Sequence, residues 1–460
     1  MNKKVLFIAY HFPPDAAVGA LRTQKFVKYL PEHGWQPFVL TLEDKYYPVI
    51  DPDRLRDVQA AVVERTSFWR TPLQLAIDIR DKLMRRGNSH NSLKNKSTLK
   101  SKSKNVGEMP YIKRLLAGLN WLPDDKLYWL IPGFRKGIRL IKKNNIQHIV
   151  VSAPPHSSII LAYFLALCTN SSIVIDFRDP WCLYGEGSQS NSFKPDLLIA
   201  AENRIQKKIL KKTSAILATN EYFRNALLKE NPFLSAEKMH VVQNGFDSSD
   251  YPAVSKKNTT FNKKYIISYL GTFYMKRNPQ NFLKALSLFR QIKGLSENDI
   301  EVRFIGNVED AEQIPVKKMI KEAGLNNVAK IKGHVKYSEA LRLMRESNLL
   351  LLLAPAQPYQ IPAKTYEYIA AGCPILALTE PGATASLIED SNCGISVDPH
   401  DIQGISNALH RLYDDYQNGA KSYVCDASPF ERRVQASQLA AILNNLNKDS
   451  SIPVCQDLHT

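Results

Sequence analysis

The segment from residue 348 to residue 378 constrains the fold most, because it contains two strand-length apolar runs separated by a short amphipathic stretch. Residues 348–353 include five consecutive leucines, and residues 374–378 form the second run. This order predicts a buried parallel strand, a loop, a short helix and another buried strand. The linking stretch carries Lys364 and Glu367. Open α/β sheets bind ligands beyond the carboxyl ends of their strands, so we expect Lys364 to meet a phosphate and Glu367 a ribose or sugar hydroxyl.

Similar apolar runs recur along the chain with helix-like segments between them. In the first half they are residues 5–10, 37–42, 148–152, 172–176, 215–219 and 240–243. In the second half they are residues 265–271, 300–306, 329–333, 348–353, 374–378 and 394–397. Runs buried on both faces predict parallel sheets covered by helices. The fold class is therefore α/β with two doubly wound, Rossmann-like domains, at residues 1–250 and 263–427, followed by a helix at 428–447.

The chain carries a formal net charge of +17, and about half of this excess lies between residues 80 and 114. Residues 85–110 predict a basic, flexible insertion, which either is a solvated loop or lies on an anionic membrane. The insertion lacks interleaved aromatic residues, which argues against nucleic acid. The short apolar start predicts no secretory signal, and no run has the length of a membrane span. We expect a cytoplasmic protein that either stays in solution or associates peripherally with a membrane. The six cysteines are scattered, so we expect reduced thiols and no metal site.

Polar residues follow three of the strands predicted in the first half. Gly19 precedes a helix after the first strand, where free N–H groups suit a diphosphate. Asp176, Arg178 and Asp179 end another strand, and three charges there predict an open cleft rather than a core. Asp179 could accept a proton or hold a hydroxyl and Arg178 could neutralise phosphate, or the two could form a structural ion pair. His156, in a turn after a third strand, is either an acceptor contact or structural.

The second half offers a further set of basic residues. Its first strand ends in a Gly turn followed by Lys276 and Arg277 ahead of a helix, an arrangement typical of phosphate binding. His334 closes a later strand and is a candidate for contact with a nucleotide base.

The stretch from Lys364 to residue 378 resembles the donor-site signature of retaining GT-B glycosyltransferases, close to glycosyltransferase family 4. In that family a helix-borne Glu holds the donor ribose, which Glu367 matches. A second Glu often lies eight residues earlier, near the transferred sugar, and here that position is Tyr359. The resemblance also implies that the Gly19 loop covers the donor diphosphate, that Arg178–Asp179 replaces a His-Asp pair, and that Lys276 or Arg277 binds the diphosphate.

The resemblance implies retaining, metal-independent hexosyl transfer from a nucleoside-diphosphate sugar to a glycan or polyprenyl-linked acceptor, in cell-surface polysaccharide biosynthesis. The nucleotide sugar is then a substrate, and no further cofactor is expected. Two alternatives stay open. Tyr359 in place of Glu suggests a non-catalytic nucleotide-sugar-binding or assembly subunit, and a GT-B nucleotide-sugar epimerase would use the same donor without an acceptor.

Overall fold

The structure is a computed structural model that describes residues 3–69, 118, 122–181, 195–251, 264–274 and 276–449. The predicted insertion at 85–110 lies outside these residues. The chain divides into two compact units. The first comprises Met1–Leu217, Leu228–His240 and Leu439–Thr460, and the second comprises Ala218–Leu227 and Val241–Gln438.

A seven-stranded sheet forms the centre of the first unit. Its strands are β1 (Lys4–Ile8), β2 (Gln36–Leu42), β3 (Val62–Thr66), β4 (His148–Ala153), β5 (Ser172–Phe177), β6 (Ala215–Ala218) and β7 (Met239–Val241). They lie in the order β3-β2-β1-β4-β5-β6-β7. Neighbours from β3 to β5 pair in parallel. The order reverses direction between β1 and β4, which makes the carboxyl ends of these two strands the switch point of the sheet.

Only β3 among these strands lacks a counterpart in the predicted set. It is an edge strand that carries Glu64 and Arg65, and most of its residues are half-buried or exposed. An edge strand does not need the continuous apolar run that marks a central parallel strand. Hydrophobic pattern alone therefore does not reveal it.

The first unit contains helices that connect these strands. They are α1 (Val18–Tyr29), α2 (Leu130–Asn144), α3 (Ser157–Thr169) and α4 (Asp196–Lys212). The next helix, α5 (Glu221–Glu230), belongs to the second unit as far as Leu227. Two glycines let α2 approach α3 closely. A Cβ at Gly133 would lie 2.7 Å from a methyl carbon of Leu161, and a Cβ at Gly137 would lie 2.8 Å from a methyl carbon of Leu165. The close approach buries both leucines completely.

The second unit is built on a six-stranded parallel sheet. Its strands are β8 (Tyr265–Thr272), β9 (Ile300–Asn307), β12 (Ala329–Lys332), β13 (Leu349–Leu353), β14 (Ile375–Leu378) and β15 (Gly394–Val397), and a separate two-stranded ribbon joins β10 (Asp310–Ala311) to β11 (Ile314–Pro315). The order is β12-β9-β8-β13-β14-β15. This is the classical dinucleotide-fold order, with its switch point between β8 and β13. The predicted α/β class with two doubly wound sheets is confirmed.

Helices cover this sheet, and the last of them belongs to the first unit from Leu439 onward. They are α6 (Gln280–Lys293), α7 (Val316–Glu322), α8 (Tyr337–Arg345), α9 (Lys364–Ala371), α10 (Ala383–Asp390), α11 (Ile402–Gln417) and α12 (Arg432–Asp449). Short 3-10 helices span Leu30–His33, Asp44–Tyr46, Pro52–Val58, Leu127–Trp129, Ala236–Lys238, Ser248–Asp250 and Ser428–Phe430. Within the described residues, no helix is both long and apolar enough to span a bilayer.

The cysteine prediction is wrong for one pair. Cys393 and Cys425 form a disulfide, with their Cα atoms 5.0 Å apart. Cys393 immediately precedes β15, whereas Cys425 lies beyond α11 and 32 residues later in the chain. Only the packing of these segments brings the two sulfurs together, so their spacing gives no signal.

A buried ion pair joins α1 to β5 inside the first unit. Asp176 is fully buried, and its carboxylate accepts from Nε of Arg22 at 2.9 Å and from Oγ of Ser152 at 3.1 Å. The Arg22 side chain is only 2% exposed. The expected open position for Asp176 is therefore wrong, because a buried charge is tolerated when a partner and hydrogen bonds compensate it.

The Asp176→Asn variant tests this pair. It removes the carboxylate charge that compensates the buried Arg22, and we expect the free energy of unfolding to fall by about 3 kcal/mol. The matched control is Asp414→Asn, because Asp414 contacts Lys293 at 2.5 Å in a largely exposed pair. The control should cost less than about 1 kcal/mol. Urea denaturation followed by circular dichroism measures both, and equal losses would contradict the assignment.

Candidate functional site

The switch point of the second unit begins where β8 ends, at Gly271. Gly271 has a φ of +145°, a conformation that favours glycine. On the neighbouring strand, a Cβ at Gly306 would lie 2.2 Å from the carbonyl oxygen of Gly271. The two glycines therefore allow the backbones of β8 and β9 to approach closely as they leave the sheet.

Lys364, the first residue of α9, reaches back to the end of β8. Its Nζ donates to the carbonyl oxygen of Leu270 at 3.0 Å and lies 3.6 Å from the ring centre of Tyr269. Burial lowers the pKa of Lys364 well below its usual value, and the nearby Arg277 charge lowers it further, while Glu367 acts in the opposite direction. The ammonium is held by a carbonyl dipole and an aromatic face rather than by a salt bridge.

Arg277 lies in the loop between β8 and α6 and is 8% exposed. Its Nη2 donates to Oε1 of Gln357 at 3.2 Å, and its guanidinium carbon lies 4.3 Å from the ring centre of Tyr274. Its Nε is buried and has no acceptor among the described residues. Among the residues that the structure describes, neither Arg277 nor Lys364 makes a salt bridge. Two neighbouring cations without a salt bridge form an arrangement suited to an anion.

Glu367 lies one turn beyond Lys364 on α9. Its Oε1 accepts from the hydroxyl of Tyr337 at 2.9 Å, and its backbone carbonyl accepts from the hydroxyl of Tyr251 at 3.0 Å. Burial is the largest influence and raises the pKa of Glu367, whereas the Tyr337 hydrogen bond and the charges of Arg432 and Lys364 oppose that rise. The carboxylate is thus fixed in direction beside the cations.

Sequence reasoning missed Tyr337, Tyr251 and Gln357. Tyr337 and Tyr251 lie far in sequence from α9 and reach the site through packing, as α8 does when Tyr337 at its start contacts Glu367. Gln357 lies in the loop between β13 and α9. No motif around these residues marks them. The one available signal is that a tyrosine opening an exposed helix needs a partner for its hydroxyl when buried.

Three other predicted residues of the second unit lie on its surface. Lys276 is exposed, and its carbonyl accepts from the N–H of Asn278 at 2.8 Å. His334 is exposed in the loop after β12. Tyr359 is 38% exposed, and its backbone carbonyl accepts from Nδ2 of Asn220 at 2.9 Å. Their roles stay predictions.

Arg178 bridges the two loops at the switch point of the first unit. Its Nη1 donates to the carbonyl oxygen of Gly19 at 2.6 Å, and its Nη2 donates to that of Pro154. A Cβ at Gly19 would lie 2.5 Å from Nη1, so a larger residue there would force the Arg178 guanidinium to shift. Burial lowers the pKa of Arg178, while Asp179 and then Asp176 raise it. The guanidinium positions the loops after β1 and β4, and a catalytic contact for it stays a prediction.

Asp179 and His156 lie near this bridge. Asp179 is half-buried directly after Arg178. The His156 ring stacks on Trp181, with ring centres 5.2 Å apart and planes inclined by 19°. Trp181 in turn donates from Nε1 to Oε1 of Glu202 at 3.0 Å. The structure therefore gives His156 a packing partner, and its contact with an acceptor stays a prediction.

The two doubly wound units and the site on β8, β13 and α9 define a GT-B fold, as the sequence predicted. Residues 250–423 match the family model described as "Glycosyl transferases group 1". This segment contains Lys276, Arg277, His334, Tyr359, Lys364 and Glu367.

Curated relatives match part of the chain. D-inositol 3-phosphate glycosyltransferase of Paenarthrobacter aurescens is 28% identical over 151 residues, which is 33% of this chain and 36% of that protein. MMP alpha-(1->4)-mannosyltransferase of Mycolicibacterium hassiacum is 22% identical over 211 residues, which is 46% of this chain and 48% of that protein. The matches thus span about a third to a half of these relatives.

Solved structures share the fold over most of the chain. HepE of Anabaena, in complex with UDP, has a TM-score of 0.62 at 15% identity, over 96% of this chain and 100% of that one. Sucrose-phosphate synthase from Thermosynechococcus elongatus has a TM-score of 0.64 at 14% identity, over 97% of this chain and 100% of that one. At such identities the likeness establishes the fold.

Removing the charge of Arg277 and removing the charge of Glu367 should shift the pKa of Lys364 in opposite directions. Removing the repelling cation in Arg277→Gln should raise the pKa of Lys364, and removing the attracting carboxylate in Glu367→Gln should lower it. Two-dimensional NMR titration of protein carrying 13C-labelled lysine measures the pKa, with Lys364→Arg assigning the signal. Lys276→Gln, at an exposed site, is the control and should change little. A shift of the same sign in both variants would disprove the arrangement.

Proposed function

We propose that this chain is a retaining glycosyltransferase that moves a hexose from a nucleoside-diphosphate sugar to a glycan or lipid-linked acceptor in cell-surface polysaccharide biosynthesis. The observation that carries the proposal is the pair of cations at the switch point of the second unit, buried Arg277 and half-buried Lys364, which make no salt bridge among the described residues and lie near the oriented carboxylate of Glu367. The family match over residues 250–423 supports it. The complexes of HepE with UDP and with UDP-glucose support the choice of ligand class.

In this proposal the donor diphosphate supplies the charge that the two cations lack. Lys364 and Arg277 bind its oxygens, and the negative charge that develops on the departing diphosphate is stabilised most in the transition state. The negative charge of the bound diphosphate also favours the protonated form of Lys364. Because side-chain cations fulfil this role, we propose a metal-independent reaction.

Glu367 is proposed to accept hydrogen bonds from the ribose hydroxyls of the donor. The hydroxyl of Tyr337 occupies one lone pair of its carboxylate and fixes the rotamer, which leaves the other oxygen for the ligand. Gly19, Lys276 and His334 are proposed as further donor contacts, at the diphosphate and the base.

The sugar transfer itself is proposed to be a front-face attack by the acceptor hydroxyl. Asp179 would take the proton of that hydroxyl, Arg178 would keep the surrounding loops in place, and His156 would contact the acceptor. Attack on the face from which the diphosphate departs retains the anomeric configuration. We propose a cytoplasmic location for this reaction, at the inner face of a membrane when the acceptor is lipid-linked.

A non-catalytic nucleotide-sugar-binding subunit is the second candidate. Tyr359 favours it, because this exposed phenol stands where related enzymes often place a Glu near the transferred sugar. Such a subunit would keep the Lys364, Arg277 and Glu367 site and lack turnover.

The donor site is tested with Glu367→Gln and Tyr337→Phe. We expect Glu367→Gln to weaken nucleotide-sugar binding about tenfold, since it replaces a charged acceptor by a neutral one. Tyr337→Phe should weaken it less, because the carboxylate remains but loses its orienting hydrogen bond. Isothermal titration calorimetry measures both, and Glu346→Gln, at an exposed position of the same unit, is the control. Wild-type affinity in Glu367→Gln would refute the ribose assignment.

The nucleotide and the reaction are tested together in a panel of UDP, GDP, ADP and CMP sugars. A ligand at 100 times its dissociation constant should stabilise the protein by about 2.7 kcal/mol, which thermal denaturation detects. The donor that binds is then incubated with lipid and glycan acceptors, and products are separated by mass spectrometry. Glycosylated acceptor is the expected result. Binding without any product would favour the second candidate, and a changed free nucleotide sugar would indicate an epimerase.

A further inference from the structure

The exposed side of α3 is apolar. The helix contains no charged residue, and its inward-facing Leu161 and Leu165 are fully buried against α2. On its outer side, Phe164 is 49% exposed and Leu167 is 51% exposed. A surface helix of a globular protein ordinarily turns polar residues outward. An outward face built of a large aromatic and an aliphatic side chain indicates an interaction surface.

Two basic helices flank α3. Both α2 and α4 pack against it. Their exposed cations are Arg135, Lys136, Arg139, Lys142 and Lys143 on α2 and Arg204, Lys207, Lys208, Lys211 and Lys212 on α4. Each flanking helix also exposes an aliphatic residue, Ile131 at 48% and Leu197 at 60%. The three helices therefore present an apolar centre between two rows of cations.

Among the described residues, few acidic groups offset this charge. On the three helices the acids are Asp196, which is exposed, and Glu202, which is buried and bonded to Trp181. From a neighbouring element, Glu64 of β3 pairs with Lys136. Long basic side chains can lay their methylene stems on the apolar centre and keep their charged ends outward.

We propose that this face of α2, α3 and α4 docks on an anionic lipid bilayer. The apolar side chains would enter the boundary between headgroups and acyl chains, and the cations would contact lipid phosphates. Nucleic acid would use the cations but not the aliphatic centre. A neutral protein partner would use the centre but not the cations. This inference goes beyond the proposed sugar transfer and does not depend on the donor site.

Vesicle co-sedimentation of the full chain tests the proposal. The vesicles contain phosphatidylcholine with or without phosphatidylglycerol, at low and high salt. We expect binding to the anionic vesicles only, weakened by salt. The double variant Phe164→Ser with Leu167→Ser should lower the partition coefficient about tenfold, and Lys207→Gln with Lys208→Gln should lower it by a similar factor.

Matched substitutions in the second unit serve as controls. Ile292 on α6 is 59% exposed, and Lys317 and Lys318 on α7 are exposed, so Ile292→Ser and Lys317→Gln with Lys318→Gln should leave vesicle binding unchanged. Nucleotide-sugar affinity, measured on every variant, should not change, which separates this result from a failure of the donor site. Wild-type vesicle binding by both test variants would overturn the proposal. So would equal binding to neutral vesicles, or loss of a dimer as the only effect of the apolar variant.

Discussion

The second unit depends on a compromise between two like charges, Lys364 and Arg277, which are held close together without a carboxylate salt bridge among the described residues. Burying either charge disfavours its ionised form. The fold offsets part of that cost with the Leu270 carbonyl, the Tyr269 ring and the Gln357 amide. These groups are neutral, so they stabilise the cations without cancelling their potential. A carboxylate at the same place would make the unit more stable and the site less able to attract an anion.

Each unit has a hydrogen bond from a basic side chain to a backbone carbonyl near the switch point of its sheet. In each sheet the strand order reverses beside the first strand, and in each a basic side chain from a later element donates to a backbone carbonyl near that strand. Arg178 donates to Gly19 in the first unit, and Lys364 donates to Leu270 in the second. Carbonyl groups at these ends are not all used by the sheet, so a cation can both satisfy one and remain at the ligand-binding edge.

Sequence alone predicted the features that depend on local pattern. The leucine run of β13 and the short helix α9 follow from periodicity, and with them the position of Lys364 and Glu367 beyond a strand end. It failed where long-range packing decides. Asp176 is marked as an exposed charge by its neighbours in sequence, yet Arg22, 154 residues away, makes it a buried one. Packing also brings together two other pairs that are distant in sequence: Tyr337 with Glu367, and Cys393 with Cys425.

Arg178, Lys364 and Arg277 differ in the hydrogen bonds that their charged groups already make within the protein. Arg178 directs its two terminal nitrogens at the carbonyls of Gly19 and Pro154, so it orders the loops of the first unit. An ammonium has three donor hydrogens, and Lys364 directs one at Leu270 while its charge faces an aromatic ring. Arg277 and Arg178 each retain a buried Nε with no acceptor among the described residues. Donors that are desolvated and unused gain most when an anion arrives, because their desolvation has already occurred in folding. In the proposed reaction Lys364 and Arg277 would stabilise the departing diphosphate, whereas Arg178, whose two terminal nitrogens already donate to backbone carbonyls, would order the first unit.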